Sequence, residues 1–573
     1  YTMYVNDKMV LQLVALLKKF GIKKVVVSPG SRHNKLINTL QADGSFKLYL
    51  VVDERSAAFF ALGLIQECGD PVAVTCSSGT ACMNYGSAIV EAFYQRLPLL
   101  VLSSDRVPEL LNQCEDQMYD QASTFIGCTK YHCQLPVIDT PRDEWYCNRL
   151  INEALIELTH HGRGPVHINI PFAAHHGTAY DVESLPDVRK ITLHQLPMKS
   201  VDWKSVSSRL KGKKVMIIWG QAVVPLKDVE ASENVFAEKY DAAVLTDKMS
   251  NCHANNAIIN TTITMSIMKE QQAPALQPDV VISVGANYIF NNEIKSYLKN
   301  GHAEHWQVGM EDKVCDPFHT LTDIFEMPEA CFFEMLVENC ESKTKGSYFA
   351  EWKAIADIPT LPDMQYCELY AITKLMSQLP ASCDLQLANS QTIRMAHYIP
   401  IKDSIRVNCN RGVNGIDGSM STAVGFGADS DKPLFYITGE LSFFYDMNSL
   451  CIRHLSKKTR ILLINNQGGA VMYDRPRGTA TADLPIYLAA GENKIAKGWA
   501  ESLGFKYLTA TNKEEVDAGV KVLLDGSIDM PVLLEVFTNL SEDRYCISDY
   551  VKSQDQRSFS EKVSGKLSRI FKK

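Results

Sequence analysis

Short runs of apolar and β-branched residues recur along the chain, and each run is followed by a polar or glycine-containing turn and then by a helical pattern. The run Leu48–Val52, for example, leads through Asp53-Glu54-Arg55-Ser56 into the apolar helical stretch Ala57–Ile65. Strands that read as continuous apolar runs and alternate with helices are typical of parallel sheets covered on both faces. The pattern therefore predicts a doubly wound α/β architecture, in which ligands bind beyond the carboxyl ends of the strands.

The predicted strands fall into three blocks. They are Lys24–Val27, Leu48–Val52, Pro71–Thr75, Leu97–Leu102 and Pro165–Pro171 in the first block; Lys214–Gly220, Ala243–Leu245, Asp279–Gly285 and His305–Gly309 in the second; and Asp384–Leu387, Ile405–Asn408, Pro433–Thr438, Arg460–Asn465 and Pro531–Phe537 in the third. The proline-punctuated segment Ala173–Lys199 is interpreted as a linker and Ile358–Met364 as a hinge. We predict three α/β domains at residues 1–180, 181–355 and 356–573, without an internal repeat at the level of residues.

Composition narrows the class of protein. The 573 residues are 46% hydrophobic and 22% charged, which is typical of a folded protein with several cores. The net charge of −8 argues against nucleic acid and acidic membrane surfaces as partners. No apolar run approaches the ~18 to 20 residues that span a bilayer, and Tyr1–Lys8 lacks an apolar signal core, so we expect a cytoplasmic protein. The sixteen cysteines form no Cys-x-x-Cys pair, which favours reduced core thiols over zinc sites or disulfides.

Two strand ends of the third block carry residues suited to a metal ion and a phosphate. Strand Pro433–Thr438 leads into Gly439-Glu440-Leu441-Ser442, and strand Arg460–Asn465 leads into Asn466-Gln467-Gly468-Gly469. A carboxylate and an amide, beside glycines whose backbone carbonyls can approach closely, offer oxygen ligands to Mg²⁺, and phosphate oxygens can complete its coordination. The segment Gly412–Gly418 can offer backbone N–H groups to the phosphates.

These motifs resemble those of thiamine-diphosphate enzymes. Gly439-Glu440-Leu441 followed by Asn465-Asn466 is similar to their diphosphate and metal motif, and Asp53–Ala57 is similar to the segment that holds their cofactor-activating glutamate. Within that superfamily the chain resembles the MenD family, the 2-succinyl-5-enolpyruvyl-6-hydroxy-3-cyclohexene-1-carboxylate (SEPHCHC) synthases of menaquinone biosynthesis. The stretches that carry this resemblance are Ser28–Arg32, Asp53–Gly63, Ser77–Ala81 with Asn84-Tyr85, Asp105-Arg106 with Pro108–Leu110, Asn410–Gly418, and Tyr445-Asp446 with Asn448.

The resemblance implies both an architecture and a reaction. The three blocks correspond in order to a pyrimidine-binding, a central and a diphosphate-binding domain. The implied activity is that of a thiamine-diphosphate-dependent 2-oxo acid decarboxylase and C–C bond-forming transferase. In this family, 2-oxoglutarate is decarboxylated and the resulting succinyl-semialdehyde carbanion is added to isochorismate.

The resemblance also assigns residues to the cofactor and the metal. Glu54 matches the activating glutamate, and Ile416 matches the apolar residue that holds the cofactor in its V shape. The other implied cofactor-binding residues are Ser78, Gly79, Thr80, Gly415, Asp417, Gly439, Leu441, Ser442 and Gly469, and the implied metal ligands are Glu440, Asn466 and Gly468. We expect Ala57, Phe59 and Phe60 to bury the Glu54 carboxyl group and raise its pKa. The alternatives are an acidic residue that favours a helix N-terminus for Glu54 and simple core packing for Ile416.

For the substrates, the resemblance implies two sets of contacts. Ser390, Arg394 and Arg411 match the residues that bind the distal carboxylate of 2-oxoglutarate, and guanidinium groups suit that role. The alternative for the arginines is surface salt bridges. The residues that match the isochorismate contacts are Ser31, Arg32, Arg106 and Gln117, of which Gln117 is also implied in catalysis.

Several positions depart from the family pattern, most of them on the acceptor side. Asp116 stands where an amide is expected, and its carboxylate would repel an anionic substrate. By loose alignment, Asn291-Asn292 replace a lysine-arginine pair. His33-Asn34-Lys35 and Val471–Arg475 also replace residues of different type. Glu440 is one methylene longer than the usual aspartate, so that Mn²⁺ is an alternative to Mg²⁺.

These departures leave three functions open. They are an authentic SEPHCHC synthase, a related decarboxylase or carboligase with a different acceptor, and a cofactor-poor, non-catalytic paralogue. In this superfamily the cofactor lies between two subunits, so the resemblance also implies a homodimer or homotetramer. In such an assembly Glu54 of one subunit and Glu440 of another would share one active site.

Overall fold

The structure, a computed structural model, describes residues 3–173, 179–193, 201–269, 272–287, 292–311, 313–340, 343–344, 346–361, 363–472, 486–491 and 493–554. Asn291 and Tyr473-Asp474-Arg475, which the sequence comparison singled out, lie outside these described residues. No described helix is both long enough and apolar enough to cross a membrane. All sixteen cysteines are free thiols; eight of them are buried, and Cys114, Cys331 and Cys451 are exposed.

The first domain is built on a six-stranded parallel sheet with the order β3-β2-β4-β5-β7-β6. The strands are β1 (Tyr4–Val5), β2 (Lys24–Val27), β3 (Lys47–Leu50), β4 (Val72–Cys76), β5 (Leu99–Arg106), β6 (Tyr131–Gln134), β7 (Val166–Phe172) and β8 (Tyr180–Val182). The helices are α1 (Lys8–Lys19), α2 (Asn34–Asp43), α3 (Glu54–Cys68), α4 (Thr80–Met83), α5 (Gly86–Gln95) and α6 (Pro141–Glu157). Strands β1 and β8 form a separate antiparallel pair, so β8 crosses the predicted boundary after residue 180.

The second domain contains another six-stranded parallel sheet, with the order β11-β10-β9-β12-β13-β14. Its strands are β9 (Val215–Trp219), β10 (Ala243–Leu245), β11 (Ala257–Ile258), β12 (Val280–Val284), β13 (Glu304–Gly309) and β14 (Leu321–Glu326). Its helices are α7 (Trp203–Ser208), α8 (Lys227–Tyr240), α9 (Thr261–Ile267), α10 (Asn292–Lys299), α11 (Glu329–Glu338) and α12 (Tyr348–Ala356).

The third domain repeats the strand order of the first, as β16-β15-β17-β18-β20-β19. Its strands are β15 (Asp384–Leu387), β16 (Arg406–Cys409), β17 (Leu434–Gly439), β18 (Thr459–Asn465), β19 (Lys506–Ala510) and β20 (Val532–Phe537). Its helices are α13 (Glu368–Met376), α14 (Gln391–Ala396), α15 (Ser419–Gly427), α16 (Glu440–Tyr445), α17 (Ile486–Ala489), α18 (Lys497–Ser502), α19 (Lys513–Leu523) and α20 (Leu540–Gln554). Three parallel sheets with flanking helices confirm the predicted α/β fold.

Every apolar run predicted as a strand overlaps a strand of the structure. The strands that the pattern missed in the three large sheets are β6, β11, β14 and β19, and each of them lies at a sheet edge. Edge strands are partly exposed, as the alternating burial along β14 shows, so they do not read as continuous apolar runs. The predicted domain boundaries themselves remain predictions.

Helices α3 and α15 join the first domain to the third at a close crossing. A Cβ atom added to Gly63 on α3 would clash with the backbone of Thr422, and one added to Gly425 on α15 would clash with the backbone of Phe60. Glycine at both positions therefore allows the two helix backbones to approach. The contact fixes the N-terminus of α3, with Glu54, relative to the loop that precedes α15.

Candidate functional site

The N-terminus of α3 is held by the segment that follows the predicted metal motif. Asp53 caps α3 by accepting a hydrogen bond from the Ser56 backbone amide (3.1 Å). Asn448 Nδ2 donates to the other Asp53 oxygen at 3.1 Å. Arg55 Nη2 donates to the Tyr445 carbonyl at 2.9 Å, and its guanidinium lies 4.9 Å from the centre of the Tyr445 ring. Tyr445-Asp446 and Asn448 carry part of the family resemblance. In the structure they belong to the segment that contacts and orients the residues around Glu54.

Asp446 connects this contact to α15. Its buried carboxylate accepts hydrogen bonds from the Ser421 backbone amide at 2.6 Å and from Ser421 Oγ at 2.8 Å. Burial raises the pKa of Asp446 to about 6, although the bonds from Ser421 and the charge of Arg55 act in the opposite direction. The start of α3, the end of α16 and the start of α15 are thus one connected unit.

Glu54 is partly exposed in the single chain. Among the described residues its carboxylate has one hydrogen-bond partner, Asn84 Nδ2 at 3.4 Å. The expected wall of Ala57, Phe59 and Phe60 does not bury the carboxylate, because these side chains lie fully in the core under α3. The Phe59 ring instead packs so tightly on Gly418 that a Cβ atom there would clash with it.

The predicted metal ligands lie together at the ends of β17 and β18. Glu440 is 4% exposed and Asn466 6% exposed. Burial raises the pKa of Glu440 to about 7, while the backbone amides of Gly468 and Asn466 act to lower it. Glu440 Oε1 and Asn466 Oδ1 are buried without a hydrogen-bond partner in the described part of the chain. Two buried oxygens without partners are costly, and they fit a divalent cation, which favours oxygen ligands.

The loop before α15 is tied to the same motif. Ser442 Oγ donates to the Ile416 carbonyl at 2.7 Å, and Asn389 Nδ2 donates to the Gly415 carbonyl at 2.5 Å. Ile416 is 37% exposed, which does not fit core packing. Asp417 follows it in the same loop.

Part of this loop is already engaged by the first domain. Glu91 on α5 accepts hydrogen bonds from the backbone amides of Gly412 (2.7 Å) and Val413 (2.8 Å). Of the predicted Gly412–Gly418 segment, the backbone amides that remain for a phosphate are therefore those from Asn414 onward. Gly439, at the end of β17, faces open space in which a ligand could lie, since a Cβ atom added there would meet nothing within 4 Å.

The remaining predicted cofactor residues are distributed over both domains. Thr80 begins α4 and Leu441 lies in α16. The Gly469 amide donates to the Ala489 carbonyl at 2.8 Å, and the Gly79 amide donates to Gln121 Oε1 at 2.6 Å. Ser78 Oγ is buried without a partner among the described residues.

The donor-side residues form one hydrogen-bonded group. Arg394 Nη1 donates to the Ser390 carbonyl at 3.1 Å, and Arg411 Nη1 donates to Asn389 Oδ1 at 3.0 Å. Ser390 has a φ of 74°, a left-handed conformation that is rare for residues other than glycine and is frequent at functional sites. Burial, and then the charges of Lys248, Arg411 and Arg394, lower the pKa of the neighbouring His397 to about 3. The arginines and the neutral imidazole suit a carboxylate ligand, which would compete with the nearby carboxylates of Asp247 and Glu91 for Arg411.

The acceptor-side residues also lie near one another, at the ends of β2, β4 and β5. Burial and the charge of Arg106 lower the pKa of Arg32. Arg106 is bound by its own loop, since its Nη1 lies 3.3 Å from Glu115 Oε2 and its Nε donates to the Asp116 carbonyl at 2.9 Å. Ser31 is exposed, and Gln117 packs on Gly79 with a φ of 51°.

Sequence reasoning missed four residues that organise the site. They are Glu91, Asn389, Glu115 and Asp543. Asn389 and Glu115 are near predicted residues in sequence and could have been considered with them. Glu91 and Asp543 act on partners 321 and 77 residues away in the chain, and no local pattern identifies them.

The sequence of the chain is similar to those of known proteins. The profile for the thiamine pyrophosphate enzyme N-terminal TPP binding domain matches residues 8–124. A protein of Bacteroides fragilis is 39% identical over 555 residues, which cover 96% of this chain and 99% of the relative. A protein of Phocaeicola vulgatus is 38% identical over 559 residues (96% and 98%), and one of Flavobacterium johnsoniae is 31% identical over 556 residues (94% and 98%). All three carry the name 2-succinyl-5-enolpyruvyl-6-hydroxy-3-cyclohexene-1-carboxylate synthase.

Proposed function

The chain belongs to the SEPHCHC synthase family of thiamine-diphosphate enzymes, and on this premise we propose that it decarboxylates 2-oxoglutarate and transfers the succinyl-semialdehyde unit to isochorismate. The protein is then a C–C bond-forming transferase of menaquinone biosynthesis. The observation that carries the proposal is the convergence of Ser390, Arg394 and Arg411 next to the Gly415-Ile416 loop, which is itself bonded to the predicted diphosphate motif through Ser442.

The cofactor and metal assignments follow from the same contacts. When bound, thiamine diphosphate supplies the electron sink that decarboxylation requires. Glu440 Oε1, Asn466 Oδ1 and the Gly468 carbonyl are the oxygens that would hold Mg²⁺, or alternatively Mn²⁺. Glu54 would share a proton with the aminopyrimidine ring, and Ile416 would support the bent cofactor. Calorimetry that shows no binding of thiamine diphosphate in the presence of Mg²⁺ would contradict this part of the proposal.

On the donor side, the chain has to bind the distal carboxylate of 2-oxoglutarate, a dicarboxylate. Arg394 and Arg411 offer guanidinium forks to the distal carboxylate, and Asn389 holds Arg411 and Gly415 at a fixed separation. The 2-oxo end of the substrate is thereby directed toward the Ile416 loop. Comparison of CO₂ release from 2-oxoglutarate and from pyruvate tests this arrangement, because pyruvate lacks the distal carboxylate. Equal rates from the two substrates would contradict it.

On the acceptor side, Arg32 and Arg106 would bind the carboxylates of isochorismate. The Glu115 carboxylate already lies against Arg106, so an anionic acceptor must displace it. This contact is the observation that favours the second candidate, a related carboligase or decarboxylase with a different acceptor. The third possibility, a cofactor-poor paralogue, is disfavoured because Glu440 and Asn466 bury two oxygens that a metal would satisfy.

We further propose a homodimer, or a homotetramer, in which two chains complete each site. Val52 (70% exposed) and Met83 (52% exposed) flank Glu54 and Asn84, and Tyr445 (54% exposed) follows the metal motif. Exposed apolar side chains grouped near a site are typical of contact surfaces.

We also propose a cytoplasmic location. Sixteen free thiols suit a reducing compartment.

Subunit exchange tests the shared site. Glu54→Gln and Glu440→Ala proteins are each expected to be inactive. In a mixed dimer one of the two sites regains all of its native residues, so activity should return after mixing. If exchange is verified by mass spectrometry and no activity returns, each site lies within one chain.

A further inference from the structure

Asp543 on α20 lies directly behind the predicted metal ligand Asn466. Its carboxylate is 1% exposed and accepts three hydrogen bonds. Asn466 Nδ2 donates at 2.9 Å and Thr538 Oγ1 at 2.6 Å to one oxygen, and the Glu368 backbone amide donates at 2.9 Å to the other. Asp543 lies outside the sequence motifs that carry the family resemblance.

The three bonds determine which way the Asn466 amide points. An asparagine side chain has an NH₂ donor on one side and an oxygen acceptor on the other, and its orientation is set by its partners. An ionised carboxylate carries no donor hydrogen, so Asp543 can only accept from Asn466, as it does from Thr538 and Glu368. The NH₂ group of Asn466 must therefore face Asp543, and its oxygen must face away from it.

The oxygen that faces away is the one the metal site needs. Asn466 Oδ1 is buried without a partner in the described part of the chain, as is Glu440 Oε1. The Asn466 and Gly468 backbone amides act on the Glu440 carboxylate, so the two side chains belong to one cluster. If the Asn466 amide were reversed, an NH₂ group would point at the cation instead of an oxygen.

We propose that Asp543 is a positioning residue that fixes the Asn466 amide with its oxygen toward the metal. The inference deepens the proposed function, on which it rests, and concerns the same metal site. Groups that hold metal ligands in place typically change metal affinity by about 10- to 100-fold when they are substituted.

The Asp543→Asn variant replaces a carboxylate, which can only accept hydrogen bonds, with an amide, which has one donor group and one acceptor atom. The Glu368 N–H requires an acceptor on its side of residue 543, so the new NH₂ group must face Asn466. Asn466 then reverses, and we expect the Kd for Mn²⁺, measured by electron paramagnetic resonance in the presence of thiamine diphosphate, to rise about 10- to 100-fold. A matched control on the same helix is Asp549→Asn, because Asp549 is exposed and pairs with Lys552. Its Kd should equal that of the unmodified protein.

A double-mutant cycle separates orientation from loss of folding. In an Asn466→Asp background, residue 466 presents an oxygen to the metal in either orientation. Asp543→Asn should then not raise the Mn²⁺ Kd above that of Asn466→Asp alone, and it can lower the Kd because it removes the repulsion between two adjacent carboxylates. Thermal unfolding of the metal-free variants identifies any protein that has lost its fold.

Two results would overturn the inference. One is an Asp543→Asn protein that binds Mn²⁺ as tightly as the unmodified protein. The other is an equal loss of affinity on adding Asp543→Asn to the unmodified protein and to the Asn466→Asp variant, both folded, which would indicate a general structural role. If the unmodified protein itself binds no Mn²⁺ with thiamine diphosphate, the metal site of the proposed function fails together with the inference.

Discussion

The donor side and the acceptor side of the site hold their arginines in different ways. On the donor side, Arg394 and Arg411 are bonded to neutral oxygen atoms of Ser390 and Asn389, which also organise the neighbouring loop. On the acceptor side, Arg106 is bonded to the Glu115 carboxylate and the Asp116 carbonyl of its own loop. The donor arginines are thus tied to the segment that also binds the Gly415 loop, with the carboxylates of Asp247 and Glu91 near Arg411. Arg106 is tied to its own loop, and an anionic acceptor has to take the place of the Glu115 carboxylate.

The two sides also differ in how many residues other than glycine have a left-handed backbone conformation. The acceptor loop contains three residues other than glycine in the left-handed region, Asn112 (φ 62°), Cys114 (φ 60°) and Gln117 (φ 51°). The described part of the donor side has two, Ser390 (φ 74°), held between Asn389 and α14, and Asn414 (φ 62°), next to Gly415. Residues in this conformation persist only when their surroundings hold them, so both sides keep strained backbone next to their arginines.

The largest expected effect comes from a residue that both sides depend on. Glu54→Gln should lower both CO₂ release and product formation by about 10²- to 10⁴-fold, because a proton-transfer group is lost. Steady-state rates with each substrate check this, and calorimetry should show that thiamine diphosphate still binds. Glu67→Gln, at the other end of α3, is the matched control and should keep full activity. An effect on product formation alone would place Glu54 on the acceptor side.

Arg411→Lys tests the donor side. The shorter point charge loses the bidentate geometry, so the KM for 2-oxoglutarate should rise about 10- to 100-fold while the KM for the acceptor stays unchanged. Arg453→Lys, an exposed position in the same domain, should change neither value. A rise in both KM values after Arg411→Lys would show that the two subsites are not separate.

Glu115→Gln tests the acceptor side. Removal of the competing carboxylate should lower the acceptor KM about two- to five-fold, because partly exposed ion pairs contribute about 0.2 to 1 kcal/mol. The KM for 2-oxoglutarate should not change. Glu109→Gln, an exposed residue earlier in the same segment, is the control. An unchanged acceptor KM in Glu115→Gln would mean that the Arg106 contact does not compete with substrate.

The smallest effect concerns the stability of the acceptor side in acid. Burial lowers the pKa of His33, next to Arg32, to about 4. Below about pH 6.5 the unfolded chain binds a proton that folded His33 does not, so stability falls as the pH falls from about 6.5 to 4. His33→Gln can keep a hydrogen bond to Thr75 without titrating.

Urea unfolding at pH 7 and pH 5 checks this prediction. His33→Gln should lose about 2 kcal/mol less stability over this interval than the unmodified protein. His302→Gln, at an exposed position, should lose as much as the unmodified protein. Equal losses in all three proteins would show that His33 titrates normally in the folded state.

The buried parts of the fold were predictable, and the reasons are physical. Strands such as β4 and β18 are buried at every position, so they read as apolar runs. The edge strands β14 and β19 are half-exposed and were missed. The first and third domains also share one strand order. This could not be predicted, because no residue-level repeat relates their sequences.

The residues of the candidate site also include some that could be predicted from the sequence and some that could not. Glu440 and Asn466 directly follow predicted strands, so their meeting at one sheet edge followed from the topology. Asp543 and Glu91 could not be predicted, because each acts through a contact that only the folded chain creates. The expected burial of Glu54 by Phe59 and Phe60 was not confirmed, since those rings face the junction between α3 and α15.

The most direct test of the central claim is to incubate the purified protein with thiamine diphosphate, Mg²⁺ and 2-oxoglutarate, with and without isochorismate, and to follow CO₂ and the ligation product by mass spectrometry. The expected result is CO₂ release together with an isochorismate-dependent product that carries the succinyl-semialdehyde unit. Release of CO₂ without that product would contradict the acceptor assignment and support a different acceptor. Absence of both would contradict the proposed activity as a whole.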